Sequence, residues 1–187
     1  MRRPIHVLGI SGSLRHGSYN TAALHAACEE LPDGMMIELF DLSPIPLYNQ
    51  DVDAAGAPEP VQHLKARIAA ADALLIATPE YNRSVPGVLK NAIDWASRPA
   101  GRSPLNGKPV AIMGAATGTW GTVRAQAHLR QICVAINMLP LNAPEVLIAQ
   151  AARKFDADGR LIDETTRRII RSMLEALADW TIRLRGS

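Results

Sequence analysis

Five short apolar runs punctuate the chain, at residues 5–10, 36–42, 73–78, 110–115 and 146–148, with stretches of helical period between them. The runs are close to continuous, as in Ile5, Val7, Leu8 and Ile10 or in Ala73, Leu74, Leu75 and Ile76. Strands that are apolar on both sides are buried on both faces. Between the runs, residues 21–31 are Ala-rich with Leu24 and Cys28 four apart, and residues 58–71 set Val61, Leu64, Ile68 and Ala71 on one face. Residues 85–97 carry Leu89, Ala92, Ile93 and Ala96 as a stripe, with Ser84 as the expected N-cap and Pro86 in the first turn. Residues 122–139 run up to Pro140, and residues 164–184 follow the turn Asp156-Ala-Asp-Gly159.

Strand and helix thus alternate five times, which predicts an α/β fold with a parallel sheet covered on both faces. Among the doubly wound orders open to five strands, 2-1-3-4-5 is the flavodoxin-like one. In that order strands 1, 3 and 4 are neighbours, so the loops at their C-terminal ends meet in one crevice. Those three loops are the chemically unusual ones, whereas the proline-punctuated loop 43–57 is expected beyond strand 1 at the sheet edge.

The first loop, Gly12-Ser-Leu-Arg-His-Gly-Ser-Tyr-Asn20, joins a buried strand to a helix. It offers free N–H groups, the hydroxyls of Ser11, Ser13 and Ser18, one guanidinium and the positive end of a helix, which are the elements of a phosphate cradle. The same composition also suits a polar loop that binds nothing. The loop lacks G-x-x-x-x-G-K-[ST], its glycines are misplaced for G-x-G-x-x-G, and it holds no cysteine. A terminal phosphomonoester that is held and not transferred fits best, and a mononucleotide such as FMN answers that description. The second loop, Pro79-Glu-Tyr-Asn-Arg-Ser-Val-Pro-Gly87, offers main-chain groups and Tyr81 to a flat aromatic ligand. In the third, Ala115-Ala-Thr-Gly-Thr-Trp-Gly121, the glycines Gly118 and Gly121 allow close backbone approach, and Trp120 either walls the site or fills a groove.

Length and charge narrow the class. At 187 residues the expectation is one domain, residues 1–187. A net charge of +2, with basic residues adjacent only in pairs, gives no footprint for nucleic acid. No window approaches an uncharged membrane span. Cys28 and Cys133 stand in neither CxxC nor metal spacing and read as reduced core thiols, so the expected compartment is cytoplasmic. No His/Cys/carboxylate cluster has metal spacing, and the five histidines read as structural or exposed.

Together these motifs resemble the NADPH-dependent FMN reductase family, with its chromate and quinone reductase members. The G-S-L-R-x-x-S-x-N loop, the P-E-Y-N turn, Tyr48-Asn-Gln-Asp51 and Arg124-Ala-Gln-Ala-His-Leu-Arg-Gln131 carry the resemblance over nearly the whole chain. The resemblance implies that Ser13, Arg15, Ser18, Asn20 and Thr21 bind the FMN phosphate and ribityl chain and that Pro79, Glu80, Tyr81 and Asn82 line the isoalloxazine; Gly118, read from its own loop, is the further cofactor-binding candidate. It implies an NAD(P)H oxidoreductase that moves hydride from NADPH or NADH to FMN and then to a small acceptor: a quinone, chromate, an azo compound or free flavin. The flavin carries that chemistry, so no catalytic side chain is assigned. The alternative is an FMN-binding electron carrier without NAD(P)H activity, which a net charge of +2 disfavours because such carriers gain from negative surroundings. Two departures stand out: Ala115, Ala116 and Gly121-Thr122 replace a Ser and a Gly-Gly pair, and Ala127 stands where some relatives have tyrosine.

The segment 122–139 also carries two apolar stripes. Ala125, Leu129, Ile132, Cys133 and Ile136 suffice to face the sheet, and Val123, Ala127, Val134 and Met138 form a second. A second stripe predicts burial against another subunit, and the resemblance implies a homodimer or homotetramer, with Arg124 and Glu145 as candidate interface contacts.

Overall fold

The computed structural model describes residues 3–186. Its strands are β1 (Ile5–Ser11), β2 (Met35–Phe40), β3 (Ala73–Ala77), β4 (Pro109–Ala115), β5 (Leu139–Pro140) and β6 (Val146–Ile148). They form one parallel sheet in the order β2-β1-β3-β4-β5, with β6 also paired to β4. The flavodoxin-like 2-1-3-4-5 order is therefore present, with six strands where five are predicted. The fifth position is split. Leu139 and Pro140 pair with Pro109 and Val110, the chain leaves the ladder, and Val146–Ile148 rejoins beside Met113–Ala115. Pro140 and Pro144 flank the interruption, and neither can donate a ladder hydrogen bond.

Alternation along the strands sorts the core into two layers. Val7, Leu75 and Met113 face α1 (Tyr19–Glu29) and α6 (Glu164–Arg185), meeting Leu24, Ala27, Ile170, Met173 and Leu177. Leu8, Ile10, Leu74, Ile76 and Ile112 face the other way. They meet Val61, Leu64 and Ile68 of α3 (Glu59–Ala70), Leu89, Ile93 and Trp95 of α4 (Gly87–Ala96), and Leu129 and Cys133 of α5 (Val123–Ala135). Both cysteines are free, and burial raises both thiols, Cys133 to about 11. No helix among the described residues is long and apolar enough to cross a membrane.

Three local expectations are corrected. The loop 43–57 contains a short helix, α2 (Gln50–Ala55), capped by the Asn49 side chain, and it does not stay at the sheet edge. It is drawn across to α4: Trp95 Nε1 and Asn91 Nδ2 donate to the Pro46 carbonyl at 2.9 and 2.8 Å, Asn91 Oδ1 accepts the Tyr48 N–H at 2.8 Å, and the Tyr48 ring packs edge-on against Trp95. Ser84 is not the N-cap of α4, which starts three residues past it, behind Pro86, with no side-chain cap. α5 also ends earlier than its pattern predicts. Asn137 takes a left-handed φ of 54°, and the N–H groups of Asn137 and Met138 return to the carbonyls of Val134 and Cys133, the Schellman closure of a helix end. That turn drives Met138 into its own chain's core at 3% exposure, so the second stripe reduces to Val123, Ala127 and Val134, the last 78% exposed.

One glycine in β4 has no tolerance. A Cβ on Gly114 would collide with the Thr122 hydroxyl and with the Thr78 carbonyl oxygen. Gly114→Ala is expected to lower stability by about 1–3 kcal/mol, the usual cost of overpacking, read as a fall in the urea midpoint at unchanged slope.

Acid stability follows from carboxyls held below their ordinary range, Glu38, Asp72 and Asp163 among them. Glu38 is lowered chiefly by its hydrogen bond from Arg67, with that residue's charge and His6 adding to it against a cost of burial. Burial works upward on Asp72 but is outweighed by the His6 N–H and by the guanidinium groups of Arg185 and Arg3. Asp163 is lowered by the hydroxyl and the N–H of Thr166. A lowered folded value stabilises the fold above the unfolded-state pKa, and the contribution is lost as pH falls through the folded value. Urea midpoints should hold from neutrality to about pH 5 and fall steadily below about pH 4, with Glu38→Gln removing part of that fall.

Candidate functional site

The backbone leaves β1 at Ser11 and turns into α1 through a loop whose side chains bond mainly to one another. The Ser18 hydroxyl caps α1, accepting from the N–H groups of Asn20 and Thr21 at 3.2 and 3.5 Å. Ser13 Oγ accepts the Arg15 N–H at 3.3 Å, and Ser11 Oγ lies 2.9 Å from Thr21 Oγ1. These bonds leave a set of donors open. Among the described residues, the N–H groups of Leu14, His16 and Gly17 have no hydrogen-bond partner, and all three residues are exposed. The Arg15 guanidinium stands above the Tyr19 ring at 5.9 Å, and a Cβ on Gly17 would come within 3.1 Å of it. Open N–H groups, a helix N-terminus and one guanidinium lie within one short loop, which is the kind of donor set a phosphate dianion needs.

Asn20 does something the sequence does not disclose. It is 4% exposed, and its amide is engaged with a single residue on β4, Nδ2 donating to the Ala115 carbonyl at 3.0 Å and Oδ1 accepting the Ala115 N–H at 2.9 Å. It staples the first loop to the third. The first loop also lies directly on the second. Gly12 N–H donates to the Ala77 carbonyl at 2.8 Å, and a Cβ on Gly12 would sit 3.0 Å from Pro86 and 3.1 Å from Pro79.

The second loop is a tight hairpin. Tyr81 and Ser84 exchange both backbone hydrogen bonds at 3.0 Å, with Asn82 and Arg83 at φ of 50° and 64°, the pattern of a type I′ turn. Arginine in that region is a strained choice, and strain of this kind persists only where the surroundings impose it. The hairpin is pinned to α5 from both sides. Ser84 Oγ is 2.9 Å from His128 Nδ1, and the Glu80 carboxylate accepts the N–H groups of Arg124 and Ala125 at 3.0 and 3.3 Å. Glu80 also pairs with the Arg124 guanidinium at 3.3 Å, and that guanidinium lies over the Trp120 ring at 5.4 Å. Thr122 itself is held at a φ of 67° and gives α5 no side-chain cap, so Glu80 satisfies the helix end from another loop. Pro79 is buried behind the hairpin, while Tyr81 and Asn82 face outward.

In the third loop the two glycines part company. Gly118 opens onto free space, in keeping with close approach by a ligand. Gly121 instead has a φ of 52° and lies against the backbone of Leu147 and Ala149, so it seats the loop on β6. Trp120 is 63% exposed and fills no groove of its own chain. The predicted residues Ser13, Arg15, Ser18, Asn20, Thr21, Pro79, Glu80, Tyr81, Asn82 and Gly118 thus fall on three loops that touch at the C-terminal ends of β1, β3 and β4. The motif reading missed one set of contributors, the open N–H groups of Leu14, His16 and Gly17. Outside the three loops, Asp41 follows β2, and the Ser43 hydroxyl and then its N–H (2.8 Å) hold its carboxyl below the ordinary range. Among the described residues no group of His, Cys, Asp and Glu could hold a metal ion.

The profile of the family described as NADPH-dependent FMN reductase matches residues 5–153. Over 186 residues, covering 100% of both chains, the protein is 59% identical to an NAD(P)H-dependent FMN reductase of Pseudomonas aeruginosa. It is 44% identical over 171 residues to a 2-hydroxy-1,4-benzoquinone reductase of a Burkholderia species, covering 91% of this chain and 93% of that one. Among solved structures, a flavoenzyme NAD(P)H:(acceptor) oxidoreductase from Paracoccus denitrificans superposes with a TM-score of 0.87 at 38% identity, covering 96% of this chain and 98% of that one. The open donors at the start of α1 and the hairpin beside them suit the phosphate and the ring of such a cofactor. The chain belongs to the NADPH-dependent FMN reductase family, as an NAD(P)H-dependent oxidoreductase with FMN as its cofactor.

Proposed function

We propose that the protein, acting as one FMN-binding domain, moves hydride from NADPH or NADH to FMN held across the three loops, and onward to a small acceptor such as a quinone, chromate, an azo compound or free flavin. The observation that carries this reading is the set of open N–H groups at Leu14, His16 and Gly17 beside Arg15 at the start of α1. FMN, when bound, supplies the hydride-accepting centre and the two-electron chemistry. The chain supplies placement. Ser13, Arg15, Ser18 and Thr21 take the phosphate and ribityl end, with Asn20 holding that cradle against β4. Pro79, Tyr81, Asn82 and the backbone of Gly118 border the ring, and Glu80 fixes the hairpin against α5. No side chain is needed to move a proton in the first transfer. The setting proposed is cytoplasmic, where thiols such as Cys28 and Cys133 stay reduced.

The purified protein should bind about one FMN per chain after reconstitution and desalting, and the yellow form should oxidise NADPH or NADH on addition of a quinone. A charge-assisted hydrogen bond is worth about 1.5–3 kcal/mol, so Arg15→Ala should weaken FMN about 10- to 100-fold while changing riboflavin, which lacks the phosphate, much less. Failure to retain any flavin would end the reading, and equal weakening of both ligands would make Arg15 structural.

Assembly is proposed on the same footing, as a homodimer or homotetramer. Val134 at 78% exposure, Trp120 at 63% and Tyr81 at 51% lie on α5 or on the loops fastened to its start, which is more apolar area than a surface helix needs. Light scattering at micromolar concentration should give a multiple of 20.2 kDa, and Val134→Glu should lower it; a fully active 20.2 kDa particle would contradict the assembly.

A further inference from the structure

A groove of about 550 Å³ opens between α1 and the end of β2, next to the phosphate cradle. Ser11, Ser13, Arg15 and Thr21 line it, so it adjoins the cradle. Its far side is built from Leu39 to Ser43, on the opposite flank of β1 from the hairpin and the third loop. A ligand that fills both places must therefore run in two directions from one phosphate. FMN alone does not, because its ring and its phosphate account for the β3 and β4 side.

The lining of the groove brings three kinds of group together. Arg15, His16 and His25 offer a second phosphate positive charge or ring N–H donors. Leu14, Leu24 and Leu39 are apolar and suit a flat base. Asp41 adds a carboxylate. The β1–β2 register pairs Ile10 with Phe40, so Ser11 and Asp41 leave the sheet side by side. Each Asp41 oxygen accepts one bond from Ser43 and keeps a lone pair for a further donor. In doubly wound dinucleotide folds the pyrophosphate sits at the helix that follows strand 1, and a carboxylate reached after it takes the adenosine ribose hydroxyls. Here the cradle and Asp41 stand in that relation without the glycine fingerprint.

We propose that this groove receives the adenylate half of flavin adenine dinucleotide, so that the site accepts FAD as well as FMN, with Asp41 accepting from the ribose diol and Arg15, His16 and His25 facing the second phosphate. The proposal rests on the FMN reading of the same cradle. It commits to FAD because the groove adjoins the cradle at Ser13 and Arg15 and carries Asp41 beside the end of β1, so a second phosphate and its ribose have partners within reach of the first.

The test is fluorescence titration of the flavin-free protein with FMN and with FAD, in the natural chain and in Asp41→Ala and His25→Trp. The second variant fills the groove from the exposed face of α1 and does not depend on the Asp41 turn. FAD is expected to bind the natural chain within about tenfold of FMN, and each variant to weaken FAD about tenfold or more while moving FMN less than about threefold. FMN binding without FAD binding would overturn the proposal and leave the FMN reading intact, and equal weakening of both flavins by both variants would overturn it too. Variants that raise the KM for NADPH in FMN-loaded enzyme while FAD affinity stays unchanged would assign the groove to the nicotinamide nucleotide instead. If neither flavin binds, both readings fail.

Discussion

A buried amide joins the two halves of this site. Asn20 meets both the N–H and the carbonyl of Ala115, so the side chain acts as one more rung at the end of β4. In a dry setting, removing that rung would leave two backbone groups and no water to satisfy them, at about 1–3 kcal/mol for each. The rest of the site hangs on the bond. α1 can point its open N–H groups at a fixed place only because its first turn is tied across the sheet, past β3, to the strand that launches the third loop. A loop of hydroxyls and glycines has no stiffness of its own. The stiffness is borrowed from β4.

Glu80 plays the corresponding part on the other flank. It turns a flexible β–α connection into a bracket between β3 and α5, with a carboxylate where a helix end is short of acceptors. The left-handed pair Asn82 and Arg83 is tolerable under that bracket, since the hairpin is held at Glu80, by the Tyr81–Ser84 bridge and through His128. Preorganisation of this sort spares a bound cofactor the ordering of its own pocket.

The sheet order and both helical layers were legible because strand runs such as 73–78 are apolar throughout and the helices carry one-sided stripes. The three converging loops were legible for the same reason: order alone places them. The failures were those of pattern reading at short range. Met138 has the right spacing for an outer stripe, yet the left-handed Asn137 ends the helix before it and turns it inward. Ser84 looks like a helix cap, but the hairpin claims its backbone and His128 its hydroxyl. For Asn20 and Glu80, read from sequence as ligand contacts, the ties to β4 and α5 were what stayed hidden, because partners 95 and 44 residues away leave no local trace.

The split between β5 and β6 bears on how copies of the chain can meet. A long, straight outer strand is a row of open donors and acceptors that invites a neighbour's strand to add on. Here that border of the sheet offers a two-residue strand at one end and a three-residue strand at the other, with prolines flanking the gap. No continuous ladder remains for another sheet to extend. Self-association along that border is thereby discouraged, and growth into open-ended fibres through it, which leaves the β2 border and the helical surfaces as the places where copies can meet.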